Sequence, residues 1–289
     1  MVERLENTKR LFDFDNDFSC PCEEGQSTDT LPSQKVLNVP FEERKIQEKS
    51  LDCFGNKFPR NDIIIIGTDE AGRGPGAGGV FASAVYFPSL TNDLVEKLSD
   101  LNDSKKLSKK KREKLYDIIL ENTINSTVCV EVEEIEKINI LQASLKAMRL
   151  AIENVINEMQ RCIDAKMHSR LGWQAQQHEA AILVLVDGNK PIKSFPPSIF
   201  PLPQSIKQQC VVKGDSKSAS IAAASILAKV SRDRYMEELS KKFPQYGWAK
   251  NAGYLTAQHL EAIDKYGITP HHRKSFLKKQ KTKQLSLLN

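Results

Sequence analysis

The feature that most constrains the fold is a run of four isoleucines followed by two acids and a glycine-rich turn. The isoleucines occupy positions 63–66, and Asp69 and Glu70 come shortly after them. Consecutive β-branched apolar residues predict a strand that is buried on both faces. Burying two carboxylates at the end of such a strand is costly unless a cation or hydrogen bonds offset the cost. The pattern therefore indicates a divalent-metal site at the tip of a core strand.

The turn that follows these acids, residues 72–79, is rich in glycine. Because glycine has no Cβ, backbone N–H groups in such a turn can approach phosphate or sugar oxygens closely. One alternative is the nucleotide cradle of an enzyme that acts on a small phosphate compound. The Gly-Lys-Ser/Thr ending of a P-loop is missing from this stretch of sequence, which argues against that alternative.

Beyond residue 60, apolar residues alternate between strand and helix periodicity. Strands are predicted at 63–67, 79–87, 127–132, 181–186 and 210–213, and helices from 108 onward, at 139–159 and at 216–240. A tight turn joins the first two strands, so they pair as a hairpin, whereas later strands are separated by helices. This order predicts an α/β domain with a mixed sheet.

The chain divides near residue 60. Residues 1–60 are rich in Asp, Glu, Asn, Ser and Pro and lack sustained hydrophobic periodicity, which predicts a mostly unstructured extension. Residues 61–289 are predicted to form one domain that ends in helices and a basic tail. Residues 163–180 and 191–205 read as peripheral loops within it.

Composition argues against a membrane protein and favours a polyanionic partner. No apolar run approaches the roughly 20 residues of a membrane span, and the N-terminus lacks the pattern of a secretory signal. We therefore expect a cytoplasmic protein with its six cysteines reduced, since their spacing matches no zinc pattern. The formal charge is +5, and residues 265–289 are basic without an acid. Such a surface suits nucleic acid, although basic tails are common in many proteins.

Two further acids lie far along the chain, at the ends of predicted elements. Asp187 follows a predicted strand, and Asp215 precedes a predicted helix. Ligands of open α/β sheets bind beyond the carboxyl ends of strands, so these acids could gather with Asp69 and Glu70. Carboxylate oxygens favour Mg²⁺ or Mn²⁺, and two such ions about 4 Å apart can bracket a phosphodiester. Taken singly, Asp187 could equally belong to an ordinary turn and Asp215 could be a helix N-cap.

Ordered motifs along the chain resemble the ribonuclease HII family. They occupy residues 69–75, 101–108, 187–189, 213–215 with 220–233, 253–254 with 259–267, and 272–276. The resemblance implies a ribonuclease H-like fold, with a mixed five-stranded sheet flanked by helices and a helical C-terminal part. It also implies an endonuclease that cuts the RNA strand of RNA–DNA hybrids and incises at ribonucleotides embedded in duplex DNA. Two-metal hydrolysis would leave 5′-phosphate and 3′-hydroxyl ends.

The resemblance also assigns candidate site residues. The family's catalytic and metal-binding carboxylates correspond to Asp69, Glu70, Asp187 and Asp215, which would hold two Mg²⁺ or Mn²⁺ ions. The Gly-Arg-Gly turn that reads the ribose 2′-hydroxyl corresponds to Gly72, Arg73 and Gly74, and the tyrosine that senses the RNA–DNA junction corresponds to Tyr254. The 2′-hydroxyl is the group that distinguishes RNA from DNA.

Four lysines are further candidates for contacts with the substrate. Lys105, Lys106, Lys213 and Lys217 could bind phosphates, which positions a duplex without reading its sequence. We interpret His271 and His272 as loop histidines rather than as a general base.

The expected partners are RNA–DNA hybrid and ribonucleotide-containing duplex DNA, with no membrane, and we expect a monomer. Residues 284–288 weakly resemble a sliding-clamp motif but lack its usual aromatic residues. The alternative function is a non-catalytic nucleic-acid-binding module of the same fold. The presence of all four carboxylates argues against it.

Overall fold

A computed structural model describes residues 2–16, 63–101, 104, 107–169, 181–193, 195 and 206–278. The strands are β1 (Ile64–Ala71), β2 (Val80–Tyr86), β3 (Ile124–Val130), β4 (Ile182–Asp187) and β5 (Ile206–Val211). The helices are α1 (Val2–Asn16), α2 (Asn92–Lys97), α3 (Lys109–Asn122), α4 (Val132–Ser169), α5 (Ala219–Lys242), α6 (Trp248–Asn251) and α7 (Ala257–Tyr266). Short 3₁₀ helices occupy Gly214–Ser216 and Pro244–Tyr246. Among these helices, none combines the length and the apolar character that crossing a bilayer requires.

The predicted mixed five-stranded sheet is confirmed. Its strand order is β3-β2-β1-β4-β5. The β1–β2 and β2–β3 pairs are antiparallel, and the β1–β4 and β4–β5 pairs are parallel. A short turn returns β1 directly into β2, whereas a parallel neighbour of β1 must arrive through a longer crossover. The central position of β1 explains the apolar start of its sequence and the complete burial of Ile66, whereas Ile63 lies before the strand and is 46% exposed, contrary to the prediction.

Helices cover both faces of the sheet. On one face, α4 packs its apolar stripe, including Met148, Ile152 and Val155, against β1, β2 and β3. On the other face, α5 brings Ala222, Ala223 and their neighbours close to β1 and β2. Small side chains allow this close approach, since a Cβ on Gly67 of β1 would lie 2.3 Å from the backbone carbon of Ser220. The start of α5 is therefore held directly against β1.

Residues 2–16 differ from the unstructured extension that we expected over residues 1–60. They form α1, whose buried Leu11 and Phe12 join the core on the α5 side of the sheet. The Phe12 ring meets the edge of the Phe87 ring with centroids 5.2 Å apart. The Thr8 hydroxyl donates to the carbonyl oxygen of Ser99 at 3.0 Å. The few apolar residues of α1 do not form a periodic pattern that predicts a helix, but they are enough to hold one short helix against the core.

The bounds of several elements also differ from the predictions: β3 and β5 each begin earlier than predicted, and α4 differs most. Helix α4 begins at Val132 and contains a kink at Asn139, where φ is 68° and ψ is 163°. The Asn139 side chain accepts hydrogen bonds from the N–H groups of Leu141 and Gln142, so it caps the helix that we predicted to begin there. The same helix continues to Ser169, into the predicted loop at 163–180. Residues 170–180 lie outside the described residues.

Candidate active site

Asp69 and Asp187 come from neighbouring parallel strands. Thr68 of β1 pairs with Val186 of β4, so the next residue on each strand is an aspartate. The Asp69 side chain is buried, and its Oδ1 accepts the N–H of Glu70 at 2.7 Å. The hydroxyl of Ser225 on α5 also hydrogen-bonds to Asp69. The parallel register thus brings together two acids that are far apart in the sequence.

The charges of these carboxylates interact strongly. Burial, together with the nearby charges of Glu70 and Asp187, holds the pKa of Asp69 well above its usual range. Burial also raises the pKa of Glu70, although a hydrogen bond and the positive charge of Arg73 oppose that rise. The Arg73 Nη1 lies 3.0 Å from the Glu70 Oε1. Desolvated like charges of this kind are typical of a site that binds a cation.

Asp215 reaches the same region through a tight turn after β5. Lys213 adopts the left-handed conformation, with φ 56° and ψ 45°, and starts the 3₁₀ helix that contains the buried Asp215. The N–H of Gly214 donates to the Asp187 Oδ1 at 2.7 Å. Asp215 does not cap α5, because Ser218 occupies that position and accepts from the N–H of Ile221 at 3.1 Å. The N-cap alternative for Asp215 is thereby excluded.

The structure links the four predicted carboxylates in different ways. The charge of Asp69 is repelled by those of Glu70 and Asp187. The Asp187 carboxylate accepts a hydrogen bond from the N–H of Gly214, the residue before Asp215. Within the described ranges, no three His, Cys, Asp or Glu side chains are already arranged as a metal-binding cluster. Glu70 is turned onto Arg73, and Asp187 onto a backbone N–H. All the donors are carboxylate oxygens, a set that fits a hard divalent cation.

The Gly-Arg-Gly turn lies beside Tyr254. Arg73 and Gly74 are exposed, and the Tyr254 side chain is half-exposed. A Cβ on Gly74 would lie 3.2 Å from the Tyr254 Cε1, so the ring rests against the turn. The carbonyl oxygen of Gly253 accepts the N–H groups of Gly76 and Ala77 at 2.9 and 3.2 Å. Backbone pairing therefore fixes Tyr254 relative to the turn.

The predicted lysines divide into two groups. Lys213 and Lys217 are exposed on either side of Asp215. Lys105, Lys106 and the predicted clamp motif at 284–288 lie outside the described residues, so their roles stay predictions.

His272 lies in the loop that follows α7 and, unlike a typical loop histidine, is fully buried in a polar network with His259 and Trp248. The His259 Nδ1 lies 2.8 Å from the carbonyl oxygen of Tyr254, and its Nε2 accepts the Trp248 Nε1–H at 3.0 Å. The His272 Nδ1 accepts the N–H of Thr269, so its Nε2 donates to the His259 Nε2 at 3.2 Å. This pattern requires both imidazoles to be neutral. Burial, and then the neighbouring His259, lowers the pKa of His272 to about 4.

Sequence reasoning missed two buried arginines under the turn. Arg273 and Arg232 are almost completely inaccessible, and their guanidinium groups donate to backbone carbonyl oxygens of residues 72–79 and of Ala252. The sequence marked these arginines only through their positions within the motifs that resemble ribonuclease HII. Nothing else in the sequence distinguishes a buried arginine from one on the surface. Their partners come from a segment that lies far away in the chain.

Comparison with known proteins places this architecture in a family. The family model described as Ribonuclease HII matches residues 66–279. The chain is similar to the ribonuclease HII of Fusobacterium nucleatum, with 46% identity over 216 residues that cover 74% of this chain and 86% of the relative. It is also 45% identical to the ribonuclease HII of Rickettsia akari, over 79% of this chain and 98% of the relative.

The chain is also similar to a solved structure, the ribonuclease H2 of Pyrococcus horikoshii, at 25% identity and a TM-score of 0.49, over 73% of this chain and 93% of that chain. The family model covers most of the chain, and the bacterial relatives exceed 40% identity over most of their own length. The chain therefore belongs to the ribonuclease HII family and is an endoribonuclease.

Proposed function

We propose that this enzyme hydrolyses the RNA strand of RNA–DNA hybrids and incises duplex DNA at single embedded ribonucleotides. The observation that carries the proposal is that Asp69 and Asp187 each follow the last paired residue of two neighbouring parallel strands, Thr68 and Val186. The turn of Gly72, Arg73 and Gly74, of which the last two residues are exposed, directly follows the strand that bears Asp69. Membership of the ribonuclease HII family supports the same substrate class.

We propose Mg²⁺ or Mn²⁺ as the cofactor, with two ions held by Asp69, Glu70, Asp187 and Asp215. The raised pKa of Asp69 supports this assignment, because a cation offsets the burial of like charges. When bound, such ions lower the pKa of an attacking water and stabilise charge on the leaving 3′-oxygen. In this proposal the four carboxylates hold the ions, and the hydrogen bond from Ser225 orients the Asp69 side chain.

The remaining residues bind and orient the substrate. The backbone N–H groups of the turn are proposed to contact the ribose 2′-hydroxyl, and the Tyr254 ring to stack on the adjoining sugar or base. Lys213 and Lys217 are suited to phosphate contacts on one side of the scissile linkage. The 2′-hydroxyl serves recognition rather than attack, so the expected products carry 5′-phosphate and 3′-hydroxyl ends.

The test is end mapping on a duplex that contains one ribonucleotide, with Mg²⁺, with Mn²⁺ and with a chelator. Cleavage at the ribonucleotide that requires a divalent ion, and that leaves a 3′-hydroxyl, is the expected result. A 2′,3′-cyclic phosphate product would exclude the mechanism. Binding without cleavage under every metal condition would favour a non-catalytic module instead.

A further inference from the structure

Two buried guanidinium groups lie under the Gly-Arg-Gly turn, and the proposed function assigns neither of them a role. Arg273 is 0% exposed and Arg232 is 2% exposed. Arginine is rarely buried completely unless its charge and its donors are satisfied. Here the acceptors are backbone carbonyl oxygens rather than carboxylates, so the guanidinium groups act on the course of the main chain.

Arg273 makes the larger set of contacts with the turn. Its Nη2 donates to the carbonyl oxygens of Gly72 and Gly78, both at 2.7 Å, and its Nη1 donates to that of Arg73 at 3.3 Å. Its Nε donates to the Gly78 carbonyl at 2.9 Å, and its own N–H donates to the Gly76 carbonyl at 2.8 Å. One planar side chain therefore holds both ends of the turn at residues 72–79.

Arg232 of α5 supports the same segment from a second direction. Its Nη2 donates to the Ala77 carbonyl at 3.2 Å, and its Nη1 donates to the Ala252 carbonyl at 3.1 Å. A Cβ on Gly72 would lie 2.2 Å from the Arg232 Nε, so the turn rests on this side chain. Through Ala252, Arg232 also joins the turn to the segment that carries Tyr254.

The carbonyl contacts determine where the N–H groups point. In a trans peptide the carbonyl of one residue and the N–H of the next point in opposite directions. Since the Gly72 and Arg73 carbonyls face the buried Arg273, the N–H groups of Arg73 and Gly74 face the exposed side. Neither N–H donates to another residue in the described part of the chain. Two N–H groups, those of Arg73 and Gly74, are thus oriented toward the surface beside Tyr254.

We propose that Arg273, supported by Arg232, is a positioning residue that holds the Arg73 and Gly74 N–H groups in place for the ribose 2′-oxygen. This inference rests on the proposed function. It assigns selectivity for ribose to a side chain that is buried beneath the turn and does not touch the substrate. Lysine cannot substitute, because it lacks the planar fork of five donors that reaches several carbonyls at once.

The test compares Arg273→Lys with the wild type on three duplexes that differ only in the 2′-group of one nucleotide, which is hydroxyl, fluoro or hydrogen. Binding is measured in an Asp69→Asn background, so that cleavage does not interfere. We expect the wild-type turn to prefer the hydroxyl duplex, and Arg273→Lys to reduce that preference at least tenfold while affinity for the all-DNA duplex changes little. Arg234→Lys on the exposed face of α5 is the matched control and should retain the preference.

The outcomes separate this inference from the proposed function. If the wild-type turn shows no preference among the three duplexes, the assignment of ribose reading to residues 72–74 fails. If the wild type discriminates and Arg273→Lys discriminates equally well, the positioning role is overturned. If Arg273→Lys does not fold, Arg232→Lys takes its place, with a smaller loss of preference expected and an unchanged preference contradicting the proposal.

Discussion

The Asp15 carboxylate at the end of α1 accepts a hydrogen bond from the N–H of Ser220, in the first turn of α5, with an Oδ2–N distance of 2.9 Å. The two residues are 205 positions apart in the chain, so the contact joins its N-terminal helix to a distant element. The second oxygen of Asp15, Oδ1, is buried and has no hydrogen-bond partner among the described residues. Helix α1 therefore carries an incompletely satisfied acid into the interface beside the start of α5.

The first prediction concerns the pH dependence of this contact. Burial raises the pKa of Asp15 to about 6 from an ordinary value of 3.8. The docked helix therefore retains a proton between pH 4 and 6 that the undocked helix releases, so docking strengthens as the pH falls through that window. Asp15→Asn should dock α1 more firmly at pH 7.5, by up to roughly 3 kcal/mol, and flatten the profile.

Hydrogen exchange of α1 between pH 4 and 8 measures this effect. Asp13→Asn is the matched control, because Asp13 lies on the exposed side of the same helix. If hydrogen exchange of α1 depends on pH in the same way in Asp15→Asn and in the wild type, Asp15 does not govern docking.

The second prediction concerns the space beneath the Gly-Arg-Gly turn. Gly72 has φ +100°, and an added Cβ would overlap Arg232. Gly267 also has a positive φ, of +78°, but an added Cβ there meets nothing within 4 Å. Gly267→Ala should cost only backbone strain, of about 1–3 kcal/mol, because φ of 78° with ψ of −166° is a conformation essentially restricted to glycine. Gly72→Ala should also displace the turn and lower kcat/KM strongly.

Thermal denaturation measures the loss of stability in each variant, and steady-state cleavage of a single-ribonucleotide duplex measures the effect of displacing the turn. Equal losses of Tm in the two variants, with wild-type cleavage by Gly72→Ala, would contradict the close contact between Gly72 and Arg232.

The third prediction concerns Asp69. Replacing this buried acid by asparagine removes the repulsion from Glu70 and Asp187. Asp69→Asn should therefore raise the Tm in the presence of a chelator, by an amount that corresponds to about 1 kcal/mol or more. The rise in Tm that Mn²⁺ causes in the wild type should shrink in the variant. Cleavage should be nearly abolished, and binding of the hybrid retained.

Differential scanning calorimetry with and without Mn²⁺ provides the measurement. Asp100→Asn offers a control at an acid near the surface that pairs with Lys111. Retained turnover of Asp69→Asn at millimolar Mg²⁺ would remove Asp69 from the set of proposed metal ligands.

The fourth prediction concerns the neutral histidine pair. The folded pKa of His272, at about 4, lies below the ordinary value of 6.5. The unfolded chain therefore binds this proton first as the pH falls, and stability is lost between pH 6.5 and 4. His272→Gln should flatten that part of the stability profile.

Trp248 reports on the same network, because its indole N–H donates to His259. In a Trp173→Phe background, which leaves one of the two tryptophans, the emission of Trp248 should change as His272 becomes protonated. The change should be centred near pH 4, and a change centred near pH 6.5 would show that the fold does not keep the pair neutral.

The sequence alone determined the sheet and the order of its acids. A run of β-branched residues indicates a central strand, although Ile63 lies before β1 and is 46% exposed. Alternating strand and helix periodicity indicates helices packed on the sheet. Asp69 and Asp187 could be placed at one edge because parallel strands end together. Residues 2–16 were misjudged because helix propensity in so short a segment depends on a partner surface.

Only the tertiary structure decided how the site residues are held. It showed that Ser218 rather than Asp215 caps α5, that His272 is a buried hydrogen-bond donor, and that Arg273 supports the turn from beneath. Each of these roles depends on contacts between residues that are remote in the chain. A local pattern records residue type and spacing, whereas burial and hydrogen-bond partners arise when distant segments pack together.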